Sequence, residues 1–190
     1  MAEETGRHDD AAAWQPWINS WQEFHDPVSN LLHGRWIEAN DWQGTFGVSH
    51  DIAGLAALMG GPDQLAAKLN QAFEDEAHAH FVFSYGKGKV SYANQPGCSN
   101  AHVFNYVGQP WRSQYWVRRV SRQAYGGVDP NAGYGGHDED QGQMGGVSAL
   151  MKLGLFSLRG TCSKDPVYEI TAPEFETITI QLDPRYYPGK

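Results

Sequence analysis

Positive charge is scarce in this 190-residue chain, where 14 Lys and Arg stand against 22 Asp and Glu for a formal net charge of -8. That balance argues against binding by phosphate neutralisation, and no nucleic-acid partner is expected. Long apolar runs are also missing. None approaches the roughly 18–20 residues of a membrane span, so no span is expected. Cysteine is nearly absent: Cys98 and Cys162 sit in unlike contexts, without CxxC or zinc spacing. They read as two ordinary thiols or as a disulfide. Met1 to Asp10 lacks the charged-then-apolar pattern of a signal peptide. Aromatic residues are plentiful. They make up 13% of the chain, with seven Trp, and hydrophobic residues reach 41%, enough for a sizeable core. Intrinsic disorder is ruled out as the overall state.

Residues 1–12 read as a polar tail. Trp14, Trp17, Trp21 and Phe24 then recur every three to four residues, which predicts a helix over 11–24 with this stripe packed in the core. Pro27 ends it. Residues 27–49 read as irregular. Helices are predicted over 51–59, 62–75, 99–107, 110–124 and 141–153, punctuated by Gly60-Gly61-Pro62 and Gly108-Gln109-Pro110. Residues 167–171 and 177–182 read as strands. No βαβ alternation is present, so the expected class is mainly α, helical hairpins with a short C-terminal β element.

The loops carry the unusual chemistry. Glu38 lies within Trp36-Ile37-Glu38-Ala39-Asn40-Asp41-Trp42-Gln43. Beside tryptophans a carboxyl can be desolvated, which raises its pKa and makes it a proton donor near neutral pH. The other reading is a loop carboxylate held by hydrogen bonds. Asp138 and Asp140 flank Glu139 in a glycine-bounded loop before a helix. Such a pair can deprotonate a water or ligate a hard cation, or it can simply cap the helix. Asn94 and Gln95, with His102 and Asn105 downstream, offer amide oxygens to calcium or to sugar hydroxyls, or serve a Pro-Gly turn. Trp42 and Trp111 stand in polar surroundings, where a ring can match the apolar face of a sugar.

Taken in order, these blocks resemble glycoside hydrolase family 92, the calcium-dependent exo-α-mannosidases. The first runs from Trp36 to Gln43, then Val48-Ser49-His50-Asp51 and Leu58-Met59-Gly60-Gly61. The second is Asn94-Gln95-Pro96, His102, Phe104 to Trp111, Gln114 and Val117-Arg118. The third is Gly136 to Met144, with Ser148-Ala149 and Gly154-Leu155-Phe156. The resemblance spans roughly residues 35–182, and residues 1–30 do not share it.

The resemblance implies that residues 13–190 are the C-terminal part of an (α/α)6-type toroid, a fragment of a longer chain. An N-terminal β-sandwich and the remaining toroid helices would be partners supplied elsewhere, and apolar faces would stand open without them. It implies inverting hydrolysis of α-mannosides, with α-1,2 linkage favoured and mannose-containing glycans or mannoproteins as substrates. Glu38 would be the general acid, Asp140 the general base and Asp138 its assistant. Trp42, His102 and Trp111 would line the substrate site, and Gln95 and Asn94 would hold Ca2+. Gln95 stands where many members have Glu, so it offers calcium an oxygen without a charge. Ala39 and Ser49 replace a glycine and a proline of the family pattern. Mannosyl-phosphodiester hydrolysis and a non-catalytic mannoside-binding remnant are the alternative readings. Family members are commonly exported, but this chain assigns no compartment.

Overall fold

The structure, a computed structural model, describes residues 2–129, 142–160 and 166–188. Among them the chain is mainly α. Helix α1 covers His8–Asn19 and so begins inside the stretch read as a polar tail. Asp9 and Asp10 in its first turn complement the helix dipole, and the alanine run that follows favours helix. Its aromatic stripe is not core: Trp14 is 56% and Trp17 76% exposed, and α1 buries no residue. The reason is the lack of a partner. The helix meets the body mainly through the 3₁₀ turn Ser20–Phe24 that continues it, and through His50, whose Nε2 lies 3.2 Å from the Ile18 carbonyl.

Strands β1 (His25–Asp26) and β2 (Leu31–Leu32) pair antiparallel in a region read as irregular. The Asp26 carboxylate accepts the Val28 and Ser29 N–H groups at 3.1 and 3.0 Å, a turn device that the Asp-Pro sequence carries. Helix α2 (Asp41–Thr45) lies in the same stretch, capped by Asn40 Oδ1 accepting the Gln43 N–H at 3.1 Å.

Helices α3 (Ile52–Leu58), α4 (Pro62–Glu76), α5 (Pro110–Ala124) and α6 (Gln143–Leu153) fall where the sequence places them. Asn100–Val107 is a 3₁₀ helix instead of an α-helix, and it packs along α5. Gly108, at φ +75°, takes the left-handed conformation that ends it.

The core gathers around Phe73 of α4. Its ring stacks on Trp116 of α5 at 5.0 Å and lies 5.8 Å from Phe81, 6.0 Å from Phe104 and 6.4 Å from Tyr92. The Trp116 indole N–H is satisfied by Asn70 Oδ1 at 2.9 Å. Leu65, Leu69 and Phe73 recur on one side of α4, and Trp116, Val117, Val120 and Ala124 on one side of α5, so each helix commits one face.

Strands β3 (Leu155–Phe156) and β4 (Glu169–Ile170) pair antiparallel, so only the middle of the predicted 167–171 strand forms. Residues 177–182 form no strand. Ile180 is 60% exposed, and alternation alone gives no strand without an edge to bond. No helix among the described residues is long and apolar enough to cross a membrane.

Trp17, Ile18, Trp21, Phe24, Leu32, Trp36 and Val48 line an open, mostly apolar groove of about 630 Å³. One wall is the α1 segment, and the other passes from β2 to the loop that carries Glu38.

Candidate active site

The loop from His33 to Asn40 is built around Asp41. Its carboxylate accepts the Trp36 indole N–H at 2.8 Å and the Gly34 N–H at 3.3 Å, and lies 2.7 Å from His33 Nδ1. Burial pulls the Asp41 carboxyl upward, but the His33, Trp36 and Gly34 hydrogen bonds outweigh it and hold the group below its ordinary value. Across the loop, Asn40 Nδ2 donates to the Gly86 and Gly88 carbonyls at 3.0 and 2.8 Å. Gln43 Nε2 donates to the Lys87 and Gly88 carbonyls at 2.6 and 3.0 Å. These two amides lash the Glu38 loop to the segment that leads into Asn94.

Glu38 sits on this loop with φ +56°, a left-handed backbone that few L-residues adopt. Its side chain is exposed. The tryptophans do not desolvate it, contrary to the sequence reading. Trp36 turns to Asp41, and Trp42 packs under two ammonium groups, Lys68 at 4.8 Å and Lys89 at 4.9 Å. Lys89 is paired with Asp75, and Lys68 donates to the Ser29 carbonyl at 2.6 Å. Burial, together with the neighbouring Lys89, lowers the Lys68 pKa.

Asn94 is the residue brought to Glu38. It is buried, and its Nδ2 donates to Glu38 Oε2 at 3.1 Å and to the Glu38 carbonyl at 3.2 Å. Its Oδ1 is buried with no hydrogen-bond partner among the described residues. Gln95 follows, half-buried, at the start of the 3₁₀ turn Gln95–Gly97.

His102 and Trp111 have surroundings of their own. His102 is fully buried in the 3₁₀ helix, stacked on Phe156 at 3.9 Å, with neither ring nitrogen hydrogen-bonded. Burial pushes its pKa down to about 3. It is thus packed as a core ring. Trp111 is 60% exposed in the first turn of α5, beside Gln109, which donates to Asp63 at 3.1 Å. Asp138 and Asp140 lie outside the described residues.

Sequence reasoning missed the scaffold behind Asn94. The Tyr125 hydroxyl donates to the Tyr92 carbonyl at 2.6 Å, and the Cys98 thiol donates to the Asn94 carbonyl at 3.2 Å. The Met144 sulfur, in the first turn of α6, lies 3.8 Å from the Tyr125 hydroxyl and 3.9 Å from Cys98 Sγ. Burial raises both tyrosine pKa values well above normal, so both hydroxyls stay protonated, that of Tyr125 donating and that of Tyr92 accepting the Ala101 N–H at 3.0 Å. The start of α6 is thereby held against Cys98 and Tyr125, behind Asn94. The methionine at the end of the third sequence block is the one clue to this that the sequence carries.

Calcium takes six to eight oxygen ligands. The partnerless Asn94 Oδ1 and the Gln95 amide fit such an ion in kind. No group of three His, Cys, Asp or Glu suited to a metal occurs among the described residues.

The chain matches the Glycosyl hydrolase family 92 catalytic domain over residues 6–190. It belongs to that family. The match starts well upstream of residue 35, so it takes in α1. A family GH92 alpha-mannosidase from Bacteroides thetaiotaomicron shares the fold, with a TM-score of 0.74 and 22% identity over 90% of this chain and 24% of its own. The same enzyme in complex with mannoimidazole gives a TM-score of 0.66 and 20% identity, over 90% of this chain and 26% of its own. An uncharacterized secreted glycosidase of Arthroderma benhamiae is 28% identical over 144 residues, covering 76% of this chain and 16% of that protein. The family 92 chain described here therefore spans about a quarter or less of these relatives.

Proposed function

We propose that this chain is the C-terminal part of the catalytic domain of an inverting exo-α-mannosidase, of α-1,2 type, that removes mannose from glycans or mannoproteins. The observation that carries the reading is the Asn94 amide bound to an exposed Glu38 carboxylate within a family 92 sequence frame. Glu38 is the general acid. It gives its proton to the glycosidic oxygen as the C–O bond breaks. Asp140, assisted by Asp138, takes a proton from the water that attacks the anomeric carbon from the opposite face. Inversion requires about 6.5–9.5 Å between the two carboxyl groups, room for that water. The described chain resumes at Gly142, two positions after Asp140 in sequence, and Met144 is anchored beside Cys98. Trp111 keeps an open ring for a sugar.

Asn94 and Gln95 would hold Ca2+. The ion supplies positive charge for sugar hydroxyls. The Asn94 and Gln95 amides would offer it oxygen ligands, and Gln95 would add no negative charge. The rest of the catalytic unit, an N-terminal sandwich and further toroid helices, covers the apolar groove. The reading rests on the 24% of the bacterial chain's length that this sequence spans.

The test uses the longest polypeptide that contains this chain, assayed on α-mannobiose. Glu38→Gln and Asp140→Ala each lower the rate about 10²-fold or more, the ordinary size of general acid–base catalysis. Unchanged rates in both variants would sink the assignment. Mannosyl-phosphodiester hydrolysis would show itself differently, because phosphate leaves without a proton and Glu38→Gln would keep full rate. A wild-type protein with no turnover on either substrate would be the non-catalytic remnant. Chelation abolishes turnover and added Ca2+ restores it. Undiminished turnover in excess chelator contradicts the ion's role.

A further inference from the structure

We propose that Asn94 is the positioning residue of Glu38, a two-pronged amide clamp that fixes both the backbone and one carboxylate oxygen of the acid and leaves Oε1 to face the substrate. The proposal rests on the reading of Glu38 as general acid and assigns a further residue to that step.

An Asn side chain has two N–H donors on one nitrogen. The Asn94 nitrogen lies within bonding distance of two Glu38 oxygens, the carbonyl at 3.2 Å and Oε2 at 3.1 Å. The first contact holds the peptide that follows a left-handed residue, φ +56°. The second selects one carboxylate oxygen. Oε1 has no partner among the described residues.

The clamp is itself rigid. Asn94 is 4% exposed, and its carbonyl accepts the Cys98 thiol at 3.2 Å and the Gly97 N–H at 3.4 Å. Gly97 permits this turn, since a Cβ there would lie 1.8 Å from the Ser91 carbonyl oxygen. Among the described residues Asn94 Oδ1 has no partner, so the side chain's hydrogen bonds there are the two to Glu38. A turn-forming asparagine would use its side chain on its own backbone. Here the side chain crosses to another loop.

Two measurements test the clamp. The side-chain NH2 resonances of Asn94, assigned by their loss in Asn94→Ser, shift in Glu38→Ala, an exposed-loop variant. Resonances that stay in place overturn the contact. Kinetics then separates positioning from structure. On methyl α-mannopyranoside, whose alcohol must leave protonated, Asn94→Ser loses about 10²-fold in kcat/KM, the scale of a misplaced catalytic group. On 2,4-dinitrophenyl α-mannopyranoside, whose leaving group needs no proton, the loss stays below about tenfold, well short of a general acid's contribution. Equal losses on both substrates overturn the positioning role. If wild type turns over neither substrate, the mannosidase reading falls, and the amide resonances decide the clamp by themselves.

Discussion

Lowering the pH from 7 to 5 costs about 2 kcal/mol of stability through His102 alone, and the loss approaches about 5 kcal/mol near pH 3, at 1.36 kcal/mol per pKa unit. In the unfolded chain this imidazole takes up a proton near pH 6.5. In the folded chain, buried with no polar partner among the described residues and a ring stacked flat on Phe156, it does so only at about 3. Between those values the unfolded state binds more protons. The stability is complete above pH 6.5 and is lost as the pH falls towards 3. Carboxylates held below their ordinary values, such as Asp41 and Asp75, add losses in the same direction at lower pH. The measurement is therefore a difference between two proteins. Urea midpoints at pH 7.5 and 5.0 fall steeply in wild type, and much less in His102→Phe. Parallel falls would show that His102 is already paired or solvated. The same variant tests the substrate-site reading of His102, since a core ring leaves KM for mannosides unchanged when replaced and a sugar ligand does not.

Phe73→Ala removes the ring at the centre of the aromatic cluster and costs about 3–5 kcal/mol, against the 5–15 kcal/mol total of a typical domain. Four rings pack on it from α5, the 3₁₀ helix and the segment that leads to Asn94, so no single neighbour can collapse into the space. The check is the urea midpoint beside that of Phe73→Leu, which keeps most of the volume and loses less. A loss below about 1 kcal/mol, the size of an ordinary substitution, would show the cluster to be loosely packed.

The parts of the fold that periodicity governs were legible in the sequence. Helices α3, α4, α5 and α6 carry their caps, breakers and inward faces in the residues themselves. Where a partner decides the outcome, the sequence misleads. Trp14 and Trp17 have helical spacing, but spacing does not say whether anything lies across the face. The alternation at 177–182 promises a strand, and no described edge pairs with it. The site divides in the same way. Glu38 and Asn94 could be named from their blocks, but the contact between them spans two loops and has no signature along the chain. His102 and Trp42 show the reverse. Residue type suggested a ligand and a sugar platform, and the surroundings supply a stacked core ring and a ring held under two lysines.

Trp36 belongs to two structures at once. Its ring forms part of the groove wall, and its indole N–H braces the carboxylate on which the Glu38 loop is built. Any polypeptide that settles into the groove presses on the same indole that braces Asp41. Assembly and chemistry thus meet at a single side chain, and the emission of that tryptophan should report both.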